Sequence, residues 1–235
     1  MHTLIVLSLA AATCVATLFG GLLGIAQRGR LHLMLGFSAG AVIGVALFDL
    51  LPEAVELEGD PRRIIAVAGL CLLLYMLMDR SLALHPHGRS DQRRGWLGAG
   101  SLVIHSFLDG FAIGVGFQAG RAVGIAVAVA VLAHDFADGL NTVGIVFRNG
   151  GRRDGALGWL IADALAPVVG AAASLFLAWP QHRIALLLAL FAGVFLYLGA
   201  ADLLPESHHG DPRLRTTLAT LLGAATLYIV ARVAG

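Results

Sequence analysis

Eight apolar runs, each about long enough to cross a bilayer, leave this chain few folds to choose from. A span needs roughly 20 predominantly apolar residues. The runs lie at 3–26, 31–52, 62–79, 95–118, 121–146, 156–178, 183–205 and 213–233. In lipid, every backbone N–H and C=O must find a partner inside the protein, and runs of this length meet that demand as helices. The sequence therefore predicts an all-α integral membrane protein with eight transmembrane helices in a single transmembrane domain. Composition points the same way: 58% of the 235 residues are hydrophobic and 13% charged, against about 25% charged in soluble domains. The 30 glycines are spread through the apolar runs, as suits helices that approach closely in lipid. A formal net charge of +1 argues against nucleic acid as a partner. Cys14 and Cys71 both sit inside apolar runs and read as small buried hydrophobes. The first run is too long for a signal-peptide core and has no basic segment before it, so it reads as a true span.

Every basic residue apart from the histidines is an arginine, and the arginines are unevenly placed. One set of alternate loops holds Arg28, Arg30, Arg80, Arg89, Arg93, Arg94, Arg148, Arg152, Arg153, Arg213 and Arg215; the other holds Arg62, Arg63, Arg121, Arg183 and Arg232. The positive-inside rule puts the first set in the cytoplasm and both termini outside. The polar stretch 80–95 then becomes a cytoplasmic loop.

The chain also echoes itself. DLLPEAVELEGDPRR at 49–63 resembles DLLPESHHGDPRLR at 202–215, and HSFLDGFAIGVGF at 105–117 resembles HDFADGLNTVGIVF at 134–147. Spans 2 and 7 run in opposite directions, as do spans 4 and 5. The pattern reads as inverted three-span repeats flanking a central pair (3+2+3), a transporter signature when polar residues lie at the midplane.

The polar residues inside spans 4 and 5 carry the chemistry. An aspartate at a helix centre costs roughly 2.5–3.5 kcal/mol on insertion scales, so its presence needs a reason. His105 and Asp109 are four apart, as are His134 and Asp138, and each pair shares one helix face. If the two spans face each other, two imidazoles and two carboxylates converge, a set suited to a borderline divalent ion such as zinc. Ser106 and Asp135 follow the histidines and could extend the set toward a second ion, while Asn141 and Thr142 lie a turn further on. Asp163 is deeper in span 6 than a helix end should be and is a further candidate for the same place. The plain alternative is that these groups only tie helices together. Three carboxylates at one depth need counter-charge, however, and neutral imidazoles supply none.

Carboxylates also mark the two mouths. Asp49 and Glu53 lie toward the outer end of span 2, and Asp202 and Glu206 toward the inner end of span 7, where His208 and His209 follow. Pro52 and Pro205 are expected to disrupt the last turns of these spans. His85 and His87 in the 80–95 loop read first as solvated side chains.

At this point the sequence resembles the ZIP (Zrt/Irt-like) metal transporters of bacterial type. The resemblance rests on eight spans, HSFLDG and HDFADG in spans 4 and 5, LPE in spans 2 and 7, and a histidine-containing loop between spans 3 and 4, and it covers essentially the whole chain. It implies a multi-pass protein of the inner (plasma) membrane, usually a homodimer, that takes divalent metal toward the cytoplasm. It also implies a binuclear site: His105, Asp109, His134 and Asp138 as ligands of the first ion, Ser106 and Asp135 contributing to the second, and Asp109 and Asp138 bridging. The chain departs from the family pattern where Ser106, Leu108 and Asp109 replace the usual Asn, Pro and Glu. In span 5, Ala137 and Asp138 stand where Pro and Glu are common. In span 6, Ala166 precedes the proline in place of Glu, with Asp163 three residues earlier. Without the two prolines, spans 4 and 5 should be less kinked.

The reading is a gradient-driven permease for zinc, with iron, manganese, cadmium, nickel or cobalt as further candidates. No nucleotide-binding loop is present, and no catalytic cofactor is called for. Two rivals are a proton-coupled carrier using the histidine–carboxylate pairs as a relay and an intramembrane zinc hydrolase. The second lacks an HExxH segment.

Overall fold

The computed structural model describes residues 2–26, 32–83, 92–210 and 214–234. Among these, all regular structure is helical, and eight helices are long and apolar enough to cross a membrane. In chain order they are α1 (His2–Ala26), α2 (32–58), α3 (Pro61–Ala83), α4 (Gln92–Ala119), α5 (Arg121–Arg148), α6 (Arg153–Leu175), α7 (181–210) and α8 (Leu214–Ala234). His85 and His87 lie outside the described residues.

Two of these helices differ from the sequence reading. Neither α2 nor α7 frays at its proline; each runs on, as Leu51–Glu58 and Leu204–Gly210. The reason is a π-helical turn just before the proline, at Ala46–Leu50 in α2 and Leu198–Leu203 in α7. There the Leu51 N–H reaches the Ala46 carbonyl and the Leu204 N–H reaches the Gly199 carbonyl, five residues back instead of four. The widened turn relieves the crowding that a proline ring causes in a regular helix, so the chain stays helical. The end of α2 comes later, at Gly59, whose φ of 77° is a left-handed cap that glycine adopts freely. Asp60 then caps α3, its Oδ1 accepting from the Arg62 and Arg63 backbone N–H groups at 3.0 and 3.3 Å. Both α4 and α5 are unbroken α-helices.

The helices pack as two groups. In one, α4 lies against α5 and α6, and α1 against α5 and α6; in the other, α2 lies against α8 and α7, and α3 against α7. The groups meet chiefly where α2 and α8 touch α5 and where α7 touches α4. Within each group, close crossings are built from reciprocal glycines. A Cβ at Gly110 would strike the Pro167 carbonyl and one at Gly170 the Phe107 carbonyl; Gly20 and Gly139 relate in the same way to Phe136 and Thr17, and Gly40 and Gly223 to Thr220 and Phe37. Such backbone-to-backbone approach is how helices associate in lipid, where no hydrophobic force drives them together. The outer faces are apolar, with Ile65, Leu73 and Leu77 on α3 and Leu218, Leu222 and Ile229 on α8 exposed. Helix α5 lies at the centre, with Ala126, Val127, Ala130 and Val131 fully buried.

Candidate metal centre

A single residue, Gly120, joins α4 to α5, so the two helices fold back on each other. His105 stands fifteen residues before this glycine and His134 fourteen after it. At about 1.5 Å per residue, both sit ~21–23 Å from the turn and hence at matching depth. The four-residue spacing then brings each aspartate onto the face of its histidine.

The four side chains meet. Each of His105, Asp109, His134 and Asp138 offers a ligand atom, these atoms all lie within 4.8 Å of one another, and all four residues are buried. His105 Nε2 is 3.2 Å from Asp109 Oδ2 and 3.8 Å from Asp138 Oδ2. His134 Nε2 is 3.3 Å from Asp109 Oδ2 and 3.5 Å from Asp138 Oδ2. Zinc bonds of roughly 2.0–2.2 Å in a tetrahedral array separate ligand atoms by about 3.4 Å. The spacing of the four groups therefore suits one shared ion.

The hydrogen bonding leaves the same space electrically unbalanced. His134 Nδ1 lies 2.9 Å from the Ala130 carbonyl oxygen, which can only accept, so Nδ1 is assigned the hydrogen and donates it. That leaves Nε2 facing Asp109, Asp138 and, at 3.9 Å, Asp135 Oδ1. A nitrogen lone pair facing carboxylate oxygens is repelled unless a proton or a cation stands between them. Neither ring nitrogen of His105 has a hydrogen-bond partner, nor does either carboxylate oxygen of the fully buried Asp135. Among the described residues, no arginine is buried that could supply positive charge.

A second layer surrounds the four. The Ser106 hydroxyl donates to Asp163 Oδ1 at 2.7 Å, and the Thr142 hydroxyl to Asp163 Oδ2 at 2.8 Å. Asp163 thus ties α4, α5 and α6 together beside the centre without joining the four-membered set. Pro167, four residues on, removes the N–H that would have bonded the Asp163 carbonyl. Two supports had no signal in the sequence. Ser38 of α2 donates to the Ala133 carbonyl next to His134, and the Phe195 ring of α7 packs in a T-shaped contact with the His134 imidazole, centroids 5.8 Å apart. Both contacts depend on which face of one helix group meets the other, which a single sequence does not encode.

The mouth residues are far less alike than their sequences. Asp49 is buried and Glu53 half-buried, and both line a cavity of about 120 Å³ together with Phe48, Pro52, Glu56, Tyr228, Ala231 and Arg232. Glu206 is exposed. His208 is half-buried, with Nδ1 3.0 Å from the Leu204 carbonyl and Nε2 3.2 Å from the Thr217 hydroxyl, so both nitrogens are engaged locally. The side chains of Asp202 and His209 lie outside the described residues.

Comparison with known proteins gives a consistent picture. A family model described as ZIP Zinc transporter matches residues 81–231. The chain is 33% identical over 109 residues to Zinc transporter ZIP10 of Mus musculus, covering 46% of this chain but 13% of that protein. It is 27% identical over 244 residues to Zinc transporter ZupT of Shigella dysenteriae, covering 95% of this chain and 93% of that protein. The chain thus spans only a small part of the length of the ZIP10 relatives and nearly all of ZupT.

Proposed function

The chain belongs to the ZIP zinc transporter family, and we propose that it carries divalent metal, zinc first, across the inner membrane into the cytoplasm. The observation that carries this reading is the convergence of His105, Asp109, His134 and Asp138 within 4.8 Å in the buried interior, with an imidazole nitrogen turned toward carboxylates. Burying such groups is favourable only when a metal ion or bound protons balance them. Two nitrogen and two oxygen donors suit zinc, and also iron, manganese, cadmium, nickel or cobalt, better than copper(I), which prefers thiolates.

In this reading both termini face outward. The ion enters past Asp49 and Glu53, binds the central four with Asp135, Ser106 and Asp163 close by, and leaves past Asp202, Glu206, His208 and His209. A second ion beside the first would be shared through Asp109 and Asp138, with the unpartnered oxygens of Asp135 available to it. The α1–α4–α5–α6 group would move against the α2–α3–α7–α8 group, which the equivalent π turns of α2 and α7 support as halves of an inverted repeat. Assembly as a homodimer would use the exposed apolar faces.

Side chains too far apart to share an ion would have favoured the proton-relay alternative; the four ligand atoms lie within 4.8 Å of one another, close enough for one ion. The relatives compared above are named as transporters, which counts against a hydrolase. The test is zinc uptake into proteoliposomes containing the purified chain. Asp109→Ala combined with Asp138→Ala should abolish it; a double variant that transports as well as the parent would sink the proposal.

A further inference from the structure

The cavity at the outer half of α2 has the makings of a site in its own right. Asp49, Glu53 and Glu56 are spaced four and three residues apart, so all three carboxyl groups share one helix face. From α8 come Tyr228 and Arg232, again one turn apart. Asp49 is only 8% exposed, and its Oδ2 is buried with no hydrogen-bond partner although the residue lines the cavity. A carboxyl oxygen removed from water with nothing to bond is costly, and the cost disappears if a ligand arrives.

The charge count says which kind of ligand. Three carboxyl groups share the cavity with one guanidinium. Among the described residues, that guanidinium pairs with none of them; it lies over the Tyr228 ring, 5.5 Å from its centroid, and Tyr228 is itself braced edge-on by Phe48 at 5.3 Å. With all three ionised, the surplus of two negative charges is what one divalent cation balances. The donors are oxygen only, with neither imidazole nor thiolate on the wall. Oxygen sets accept magnesium, calcium and manganese as readily as zinc, whereas imidazoles favour zinc and its neighbours.

We propose that Asp49, Glu53 and Glu56 form a divalent-cation site separate from the central one, with Arg232 as the counter-charge that an arriving ion must outcompete. It collects divalent ions with little discrimination and leaves the choice of metal to the two histidines further in. Only its place on the route rests on the transport reading; the binding does not.

Isothermal titration of the purified full-length chain with zinc tests this. Two classes of binding are expected. Asp49→Asn with Glu53→Gln should remove the weaker class and leave the tighter one, while His105→Ala with His134→Ala should do the reverse. A hundredfold excess of magnesium should suppress only the weaker class. Arg232→Gln should strengthen that class about threefold or more, because a like charge has been removed. A weaker class that survives Asp49→Asn with Glu53→Gln overturns the site, and so does a single class lost with the histidines. If the double variant does not fold, Glu56→Gln at its exposed position replaces it, and unchanged weak binding there is equally fatal. Unchanged affinity in Arg232→Gln overturns the counter-charge role. Flux separates the two proposals: uptake without a weaker class removes the site and leaves transport, and two classes without uptake does the opposite.

Discussion

The chain holds two echoed sequences, and folding treats them in opposite ways. HSFLDG and HDFADG converge, so that four side chains from α4 and α5 share one small volume. The two DLLPE segments have the same local build, a π turn running into a proline, yet they end in different surroundings. Asp49 and Glu53 line a cavity against α8, whereas Glu206 stands exposed. The converging echo sits on regular, unbroken helices joined by one residue, which fixes its geometry. The separated echo sits where the helix ladder is already widened. A centre that must match an ion's bond lengths needs rigid elements; carboxylates of two echoes that make no shared site do not.

Three measurements probe this contrast, the largest effect first. Asp163→Asn keeps the shape of the second layer but weakens the acceptor that holds Ser106 and Thr142. Zinc uptake should fall by ~10- to 100-fold, as for other supports of metal ligands. A loss under twofold would mean that the converging echo needs no brace from α6. Acidifying the outer solution from neutral to about pH 5.5 should reduce uptake by ~10-fold. Metal binding requires neutral imidazoles and ionised carboxylates, so protons compete as pH falls and binding returns as it rises. The drop should persist in Asp49→Asn with Glu53→Gln; if that variant becomes insensitive to acid, the α2 carboxylates and not the centre are the proton-competing element. Glu206→Gln should lower uptake only ~2- to 3-fold at low zinc, since one exposed carboxylate adds little beyond local concentration. A loss as large as that of Asp163→Asn would place Glu206 on the same footing as the centre and erase the contrast.

Much of this was legible in the sequence, for identifiable reasons. Spans are legible because lipid imposes a length and a composition. The central four are legible because histidine and aspartate inside an apolar run are expensive, and their spacing in each helix needs no tertiary information. The continuation of α2 and α7 past Pro52 and Pro205 was not legible, because the rule that proline breaks a helix holds only while the preceding turn is regular. The partners of Asp163 were only half legible: its depth in α6 marked it, but the face it shares with Ser106 and Thr142 depends on how α6 packs. Nothing in the sequence placed Glu56 and Arg232 together. Each is an ordinary charge near a helix end until α2 and α8 are laid side by side.

The reciprocal glycine crossings have a consequence for how such a protein is dissected. Truncation to alanine, the usual way to ask what a residue contributes, removes atoms and so searches for side chains that matter. At Gly110, Gly170, Gly20, Gly139, Gly40 and Gly223 what matters is the absence of a side chain, since the carbonyl of a neighbouring helix occupies the space. The same substitution that counts as a deletion elsewhere is an insertion here, one methyl group driven into another backbone. A scan scored as loss of contacts would read these positions backwards, while the lipid-facing leucines of α3 and α8 would tolerate the change with little effect.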